Sequence, residues 1–449
     1  MAKYQNSQLK SKQKKKAHNV DRNLKFLIGI PLLALLLKFI TIANTYGGGW
    51  FGADGENYAA GVDGLLRDGF FSEATTLSYW PSGYSILLWP LAAISVSKLY
   101  YFLSVIQSIF FAYSTYYFTK QLHNSSLRPF AIWASIFISF NPTLALSSMS
   151  VGYENPIASS FLMIAAIIWA NANPTVDRKF WLNVSYVGAW FALIAFMQPR
   201  FMVSAIVIAV LWALRVAGRK NQIRLAALIT AITLIAPTIM IYRNIEAIDR
   251  AVISTNLGAT MKIGAGAETS GGYIHSGPDI DCPASDATTS QTDSDLVLCT
   301  LEWYVKNPSD SARLAFNKTL FFWSPWSGPK KDGTMARNPW LKISPAHQIV
   351  LNSQGGRDFV YSTFGNLISY LWIFGQIFFL FLGMRALRRI GLDEKFFAQI
   401  VFTPVLLSWL IAIGTIGDHR FRIPTMGLSL FLQVIGMLAL RKKLSKTEA

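Results

Sequence analysis

Long uninterrupted apolar segments are the feature that most constrains this chain. Phe26 to Ala43 and Phe397 to Ile416 are each long enough to cross about 30 Å of hydrocarbon as a helix. A segment that spans lipid must satisfy its own backbone hydrogen bonds, so helices are the required form. Of the 449 residues, 52% are hydrophobic and only 14% are charged. The sequence therefore predicts an all-α polytopic membrane protein rather than two or three soluble domains.

The distribution of Lys and Arg between these segments predicts the topology. Cytoplasmic loops carry an excess of positive charge, and applying this rule loop by loop gives about ten transmembrane helices. The predicted spans lie near residues 26–44, 100–119, 129–147, 156–171, 180–197, 200–214, 223–242, 363–384, 397–416 and 423–440. The basic tails, residues 1–25 and 441–449, then both face the cytoplasm. There they are expected to lie beside anionic membrane lipid rather than bind nucleic acid.

One apolar segment, Ser82 to Ser97, would break this alternation if it crossed the membrane. It is short and contains Pro90 in its middle, which favours a helix in the outer interface or a re-entrant segment. The N-terminal module, residues 26–242, therefore includes an outer first loop, 45–99, with juxtamembrane helices. A long outer insert, 243–362, and C-terminal transmembrane helices, 363–440, complete the predicted organisation.

The second half of the outer insert has an amphipathic pattern. Its aromatic residues Trp303, Tyr304, Trp323 and Trp326 are expected to lie against the bilayer or the helix bundle. An ordinary transmembrane helix around residues 312–327 is the alternative, and it would need a partner span to preserve the topology.

The only two cysteines, Cys282 and Cys299, both lie in this insert. An outer location is oxidising in many cells, so a disulfide is expected, with two free thiols as the alternative. Without a CxxC pattern or a nearby cluster of histidines, the pair makes a poor zinc site.

Polar residues recur wherever a predicted helix exits outward. The first loop reads FGADGENYAAGVDGLLRDGFFSE and contains five carboxylates, among them Asp54 and Glu56. These two precede a predicted short helix, where the helix dipole favours negative charge, so capping is one interpretation. Other outer turns contain Glu154 in GYENP, Arg200 in QPR, and the GDHRFR sequence. We expect these polar residues to meet at one surface between membrane and water.

The outer pieces, taken in order, resemble the GT-C membrane glycosyltransferases that use polyprenyl-phosphate sugars, in particular the protein O-mannosyltransferase and aminoarabinose-transferase-like branch. The pieces are ADGENYAAGVDGLLRDG, YWPSGYSILLWPL, Pro142 with GYENP, QPR, YRNIEAIDRAVISTNLGATMKIGAG and GDHRFRIP. Their common order and sidedness carry the resemblance, which covers most of the chain. It implies a GT-C-like architecture and transfer of a sugar to an acceptor hydroxyl at the outer face, usually with inversion.

The resemblance also implies roles for individual residues. Asp54 matches the catalytic Asp of the family's first loop, and a carboxylate there can take the proton of the attacking hydroxyl. Glu56, Tyr58 and Glu154 are the candidates for orienting the acceptor or the sugar.

A phosphate leaving group requires fixed cations, and arginine suits phosphate because its planar fork donates two hydrogen bonds. Four arginines lie at predicted outer helix ends: Arg243, the first choice, Arg422, the second, and Arg200 and Arg420. Lys262 and Lys318 are lower-ranked candidates. Arginines that snorkel to the membrane interface are the alternative explanation.

Cofactor and acceptor are less constrained. A lipid-linked donor is what the resemblance implies. Some relatives use a divalent metal and others do not, and no metal site is predicted. A protein, a glycolipid or a polysaccharide could each supply the hydroxyl. The expected location is a bacterial cell membrane, with the active site facing outward.

Two other functions are compatible with a polytopic chain. A transporter or flippase for lipid-linked sugars predicts charges near the midplane and paired broken helices, whereas most strong charges here lie at outer ends. Lys38, inside the first span, is expected to snorkel outward rather than serve as such a functional charge. A non-catalytic receptor or assembly subunit gives no reason for carboxylates and arginines to meet at one level.

Overall fold

The chain folds almost entirely into helices, as the sequence predicts. The computed structural model describes residues 2–44, 50–51, 54–272, 280–282, 289–324 and 363–447. The N-terminal elements are α1 (Ala2–Asn44), β1 (Trp50–Phe51), α2 (Gly55–Asp68), α3 (Thr76–Tyr79), α4 (Gly83–Ile94), α5 (Leu99–His123), α6 (Arg128–Ser139), α7 (Pro142–Ser147) and β2 (Ser150–Val151). The following helices are α8 (Glu154–Ala170), α9 (Arg178–Met197), α10 (Met202–Ala213), α11 (Arg219–Ile248), α12 (Leu257–Ile263), α13 (Thr289–Lys306), α14 (Pro308–Trp323), α15 (Thr363–Arg388), α16 (Leu392–Gly414) and α17 (Ile423–Thr447).

Six helices in the described part of the chain are long and apolar enough to cross a membrane. They run over Asn23–Asn44, Arg178–Met197, Arg219–Ile248, Ser369–Arg388, Leu392–Gly414 and His419–Arg441. A bent pair would make a seventh. Each of the ten predicted spans coincides with a helix or a broken helix, but α8 and α10 are shorter and α6 breaks before α7. The count of ten therefore stays a prediction.

The break between α6 and α7 has a local cause. The side chain of Asn141 accepts a hydrogen bond from the amide of Leu144 at 3.0 Å, and Pro142 occupies the first turn. An N-cap residue followed by proline begins a new helix, so the apolar run cannot continue as one rod.

The segment that would have broken the predicted alternation is also bent. Helix α4 meets the helix that continues into α5 at an angle of 117°. Ser95, between them, has an extended backbone conformation. This geometry fits the predicted re-entrant or interfacial segment.

Helix α8 is the centre of the bundle. All but the last of its residues are buried, and α5, α9 and α17 pack around it. At its N-terminal end, the side-chain Nδ2 of Asn155 donates to the carbonyl of Leu144 at 2.9 Å, which ties α8 to the preceding short helix.

A two-residue parallel pairing connects the first loop to this central helix. Trp50 pairs with Ser150 and Phe51 with Val151. Asp54 lies three residues after β1, and Glu154 lies three residues after β2. The register of the strand pairing therefore brings the two acidic positions to the same level.

The insert contains α12, α13 and α14, of which α12 packs on α13 and α14 packs on the bundle. Cys282 and Cys299 are joined by a disulfide, with Cα atoms 6.0 Å apart, and are therefore not free thiols. Helix α14 packs against α16 and the turn His419–Arg422, and its last aromatic residue, Trp323, is buried. Trp326 lies outside the described residues. Helix α14 is not among the candidate spans, so the alternative of a transmembrane helix around 312–327 gains no support.

One sequence-based expectation about α1 is wrong. Lys38 does not reach the surface, because only 4% of the residue is exposed. Its Nζ lies 4.1 Å from the centre of the Phe111 ring, a distance typical of a cation–π contact. The ammonium is held inside the bundle instead of snorkelling.

Candidate active site

A buried arginine connects the two acidic residues that the strand pairing brings together. Arg420 Nη1 donates to Asp54 Oδ2 at 2.6 Å, and Arg420 Nε donates to Glu154 Oε1. The side chain of Arg420 is only 3% exposed. Buried charges persist only when they are paired and hydrogen-bonded, so these three side chains form one unit.

Local sequence places each member of this unit. Asp54 occupies the N-cap position of α2, but its side chain makes no capping hydrogen bond, so the capping interpretation is wrong. Glu154 is the first residue of α8. Asp418 Oδ1 accepts a hydrogen bond from the amide of Arg420 at 2.9 Å and thereby fixes the turn that presents the guanidinium.

Three tyrosines surround the ion pairs. The ring of Tyr58 packs edge-on against Tyr84 and Tyr153, at centroid distances of 5.1 and 6.0 Å. Burial, followed by the charges of Tyr153 and Asp54, raises the pKa of Tyr58 well above its usual range. The Tyr84 hydroxyl accepts a hydrogen bond from the amide of Gly152 at 2.9 Å, beside Glu154. Tyr58 therefore stays neutral and keeps its proton as a hydrogen-bond donor.

The Asp54–Arg420 pair borders a cavity of about 470 Å³. The other wall residues come from distant segments and include Tyr58, Tyr79, Trp80, Tyr153, Arg200, Ile253, Ser254, Asn256, Leu257, Thr260, Ile263, Asp293, Ile411, Thr415, Ile416 and Phe421. Among the described residues, Asp54 Oδ1 has no hydrogen-bond partner. The carboxylate is thus anchored through one oxygen, while the other can accept a proton.

Arg200 supplies a second cation to the same cavity. Its Nη2 donates to the Tyr153 hydroxyl at 3.2 Å, and the guanidinium carbon lies 3.9 Å from the centre of the Phe421 ring. Its Nε has no partner within the part of the chain that the structure describes. Stacking on Phe421 holds the guanidinium in place beside the cavity.

The insert contributes a wall residue that the sequence analysis missed. Asp293 lies on α13 and lines the cavity, and its Oδ1 accepts a hydrogen bond from the amide of Gly258 at 2.7 Å. Burial raises the pKa of Asp293. Tyr79, Trp80 and Tyr153 were also missed as site residues, although they lie inside the YWPSG and GYENP pieces.

The first-choice phosphate ligand, Arg243, lies elsewhere. Its buried guanidinium donates to the carbonyls of Phe70 at 3.3 Å and Leu77 at 3.0 Å, and to that of Ser72. It also donates to Asn244 Oδ1 at 2.6 Å. Arg243 does not line the cavity. Its donors are directed at the backbone of the first loop, and phosphate binding by Arg243 stays a prediction.

The remaining predicted cations also lie outside the cavity wall. Arg422 Nη1 donates to Gln376 Oε1 at 2.7 Å and to the carbonyl of Trp323 at 3.3 Å. Lys318 is directed at backbone carbonyls of α16, and Lys262 is absent from the wall.

The three residues predicted to orient the acceptor or the sugar lie at different distances from the cavity. Glu56 is exposed and is not part of the cavity wall. Glu154 is buried and supports Arg420, whereas Tyr58 lines the cavity directly.

The two acidic residues are poorly suited to a divalent metal. Asp54 and Glu154 both bind the guanidinium of Arg420, which already supplies the positive charge between them. No group of three His, Cys, Asp or Glu side chains comes together as metal ligands in the described parts of the chain. With Arg420 between them, this pair of carboxylates does not fit a metal ion.

The solved structures that are similar to this chain include three of oligosaccharyltransferases. The three are the apo oligosaccharyltransferase of Archaeoglobus fulgidus, the archaeal oligosaccharyltransferase AglB from the same organism with an inhibitory peptide and a dolichol-phosphate, and that oligosaccharyltransferase tethered to an acceptor peptide with the NVT sequon. All three share 13% identity with the chain, at TM-scores of 0.49, 0.48 and 0.47. They cover 95%, 94% and 93% of this chain, which spans about half of their length, 51%, 51% and 50%.

No protein-family model matches the chain. No curated protein matches it either.

Proposed function

We propose that this chain is a membrane glycosyltransferase that moves a sugar from a polyprenyl phosphate to an acceptor hydroxyl at the outer face of the membrane. One observation carries the proposal: Asp54 is anchored by Arg420 through Oδ2, and its Oδ1 accepts no hydrogen bond from the described residues, beside a cavity that also contains a cation. Transfer of a sugar from a phosphate requires a base for the acceptor hydroxyl and a cation for the leaving phosphate, and both border this cavity.

Asp54 acts as the general base in this reaction. The acceptor oxygen attacks the anomeric carbon while its proton moves to Asp54 Oδ1, and the bond from that carbon to the phosphate oxygen breaks. The phosphate leaves with the electron pair of that bond and stays attached to its lipid. Because the attacking oxygen and the leaving phosphate occupy opposite sides of the carbon, a single displacement inverts its configuration.

Arg200 stabilises the negative charge that grows on the leaving phosphate. The Nε of Arg200 has no hydrogen-bond partner among the described residues. Together with the Nη groups it belongs to a planar donor fork that matches phosphate oxygens. The apolar wall residues Ile411 and Ile416 lie near the end of α16, where a prenyl chain entering from the bilayer would pack. Exclusion of water by such a wall strengthens the attraction between cation and phosphate.

The donor is therefore a polyprenyl-phosphate sugar, and the acceptor is a hydroxyl of a protein, glycolipid or polysaccharide. The outward orientation follows from the excess of Lys and Arg in the loops assigned to the cytoplasm. The disulfide in the outer insert supports an oxidising outer compartment, and a bacterial cell membrane is the proposed location.

Replacement of the base tests the reaction directly. Purified protein in lipid vesicles is supplied with radiolabelled polyprenyl-phosphate hexose and pentose, and with membranes from cells that lack the gene as the source of acceptor. Asp54→Asn keeps the shape of the side chain but removes the basic oxygen, so turnover should fall at least about 10²-fold. Asp63→Asn is the matched control, because Asp63 is exposed on the adjacent helix α2 and should leave turnover unchanged.

Retention of near-normal transfer by Asp54→Asn would refute the catalytic assignment. Arg200→Met serves as the donor-side variant in the same assay. Loss of a charge-assisted hydrogen bond of about 1.5 to 3 kcal/mol to the charge that grows on the phosphate should lower kcat/KM for the donor by about 10- to 160-fold. If the labelled lipid crosses the vesicle membrane but the sugar never leaves its phosphate, the chain is a flippase.

A further inference from the structure

The outer insert contains a buried cation that the proposed reaction does not use. Lys318, on α14, has no exposed surface. Its Nζ donates to the Tyr304 hydroxyl at 2.7 Å, to the carbonyl of Ile413 at 3.1 Å and to that of Thr415 at 2.5 Å. An ammonium has three N–H groups, and each of them has an acceptor here.

Two of these acceptors belong to the C-terminal end of α16. The last four carbonyls of a helix have no partner within it, and the helix dipole makes this end negative. Lys318 therefore satisfies the carbonyls of Ile413 and Thr415 and complements the dipole. Burial lowers the pKa of Lys318 to about 7, and the only other titratable group among its hydrogen-bond partners, Tyr304, has its own pKa raised by burial to about 12.

The end of α16 leads directly into the candidate active site. Thr415 and Ile416 line the cavity, and the chain then reaches Arg420 through Gly417 and Asp418. The amide of Gly417 donates to the carbonyl of Gly271 in the insert at 2.8 Å. A Cβ atom on Gly417 would lie 2.5 Å from the Cα of Lys318, so the insert packs tightly against this turn.

We propose that Lys318 is a positioning residue, which holds the end of α16 and thereby sets Arg420 in register with Asp54. This inference rests on the proposed function of Asp54 as the base. It replaces the phosphate-binding role predicted from the sequence, because the N–H groups of Lys318 are used within the protein and the side chain does not line the cavity.

The proposal predicts a specific change in kinetics. Lys318→Met keeps the length of the side chain but removes the ammonium, so α16 loses its terminal donors and Arg420 shifts relative to Asp54. Because a shift of about 1 Å at a reacting group can cost about 10²-fold, kcat should fall at least about 10-fold while the donor KM stays within about twofold. Lys306→Met is the matched control, because Lys306 is an exposed lysine on α13 paired with Glu302.

A double-mutant cycle separates positioning from a general structural role. If Lys318 acts through the Arg420–Asp54 pair, Lys318→Met should lower kcat by less than about threefold when Asp54→Asn is already present. If the fall in kcat of the double variant equals the product of the falls in the two single variants, the proposal is overturned. A raised donor KM with normal kcat would also overturn it and return Lys318 to phosphate binding.

A second variant keeps the test decisive if Lys318→Met does not fold. Gly417→Ala pushes the turn away from Lys318 without altering any charge, and it should reproduce the loss of kcat at unchanged donor KM. Normal kcat in this variant would overturn the proposal. A normal kcat in Asp54→Asn alone would instead refute the proposed function, so the two failures are distinguishable.

Discussion

Removal of the central guanidinium should destabilise the protein by a predictable amount. In Arg420→Met, the carboxylates of Asp54 and Glu154 lose their shared partner while both residues remain about 95% buried, at 6% and 5% exposure. Breaking a buried ion pair by removing one partner costs about 3 to 5 kcal/mol, because an uncompensated charge is left behind. Two carboxylates remain here, so we expect the upper end of this range.

Neutralising the two carboxylates as well should restore stability to the Arg420→Met variant. Asp54→Asn and Glu154→Gln in the Arg420→Met background remove both buried charges at nearly constant volume. Replacement of a whole buried ionic group by neutral residues is often neutral or stabilising. The triple variant should therefore recover most of the lost stability, although it should remain inactive.

Thermal unfolding of the purified variants in detergent, followed by tryptophan fluorescence, measures these differences. Arg67→Met is the control, because the Arg67–Asp68 pair is largely exposed and its loss should leave the midpoint unchanged. A midpoint for Arg420→Met equal to that of the wild type would refute the argument. So would a triple variant that is no more stable than Arg420→Met alone.

A further prediction concerns topology. Single cysteines at Glu73 and Ser294, both exposed, should react with an impermeant maleimide in intact cells that carry Cys282→Ser and Cys299→Ser. Lys220→Cys, exposed in a predicted cytoplasmic loop, should react only after permeabilisation, and the reverse pattern would invert the assigned sides.

The helices could be predicted from sequence because their cause is local. An apolar run of sufficient length must be helical in lipid, whatever its neighbours are. The charge alternation predicts that the segment around Pro90 does not cross as a straight span. The chain does bend there, but at Ser95, whereas α4 continues through Pro90. Asp54, Tyr58, Arg200 and Arg420 meet at one cavity, as expected for residues that share an outer level.

The ranking of the arginines could not be predicted, because it depends on which acceptors surround each guanidinium. Arg243 and Arg200 both lie at predicted outer helix ends, and nothing local distinguishes them. In the folded chain, the first-loop carbonyls of Phe70, Ser72 and Leu77 are directed at Arg243. An arginine that satisfies buried carbonyls stabilises the loop and has fewer donors left for a phosphate. Arg200 stacks on Phe421 instead and keeps its Nε without a partner among the described residues.

The same contacts that assemble the fold also prepare the proposed base. Asp54 and Arg420 are 366 residues apart, and Glu154 and Arg420 are 266 apart, so no local pattern encodes the unit. Its members meet because β1 pairs with β2 in a fixed register and because the insert holds the end of α16. Loss of Arg420 would therefore lower stability and activity together, whereas Asp54→Asn should lower activity and leave the fold nearly intact. If stability fell as much in Asp54→Asn as in Arg420→Met, the carboxylate would serve the fold first, and the base would have to be sought elsewhere in the cavity.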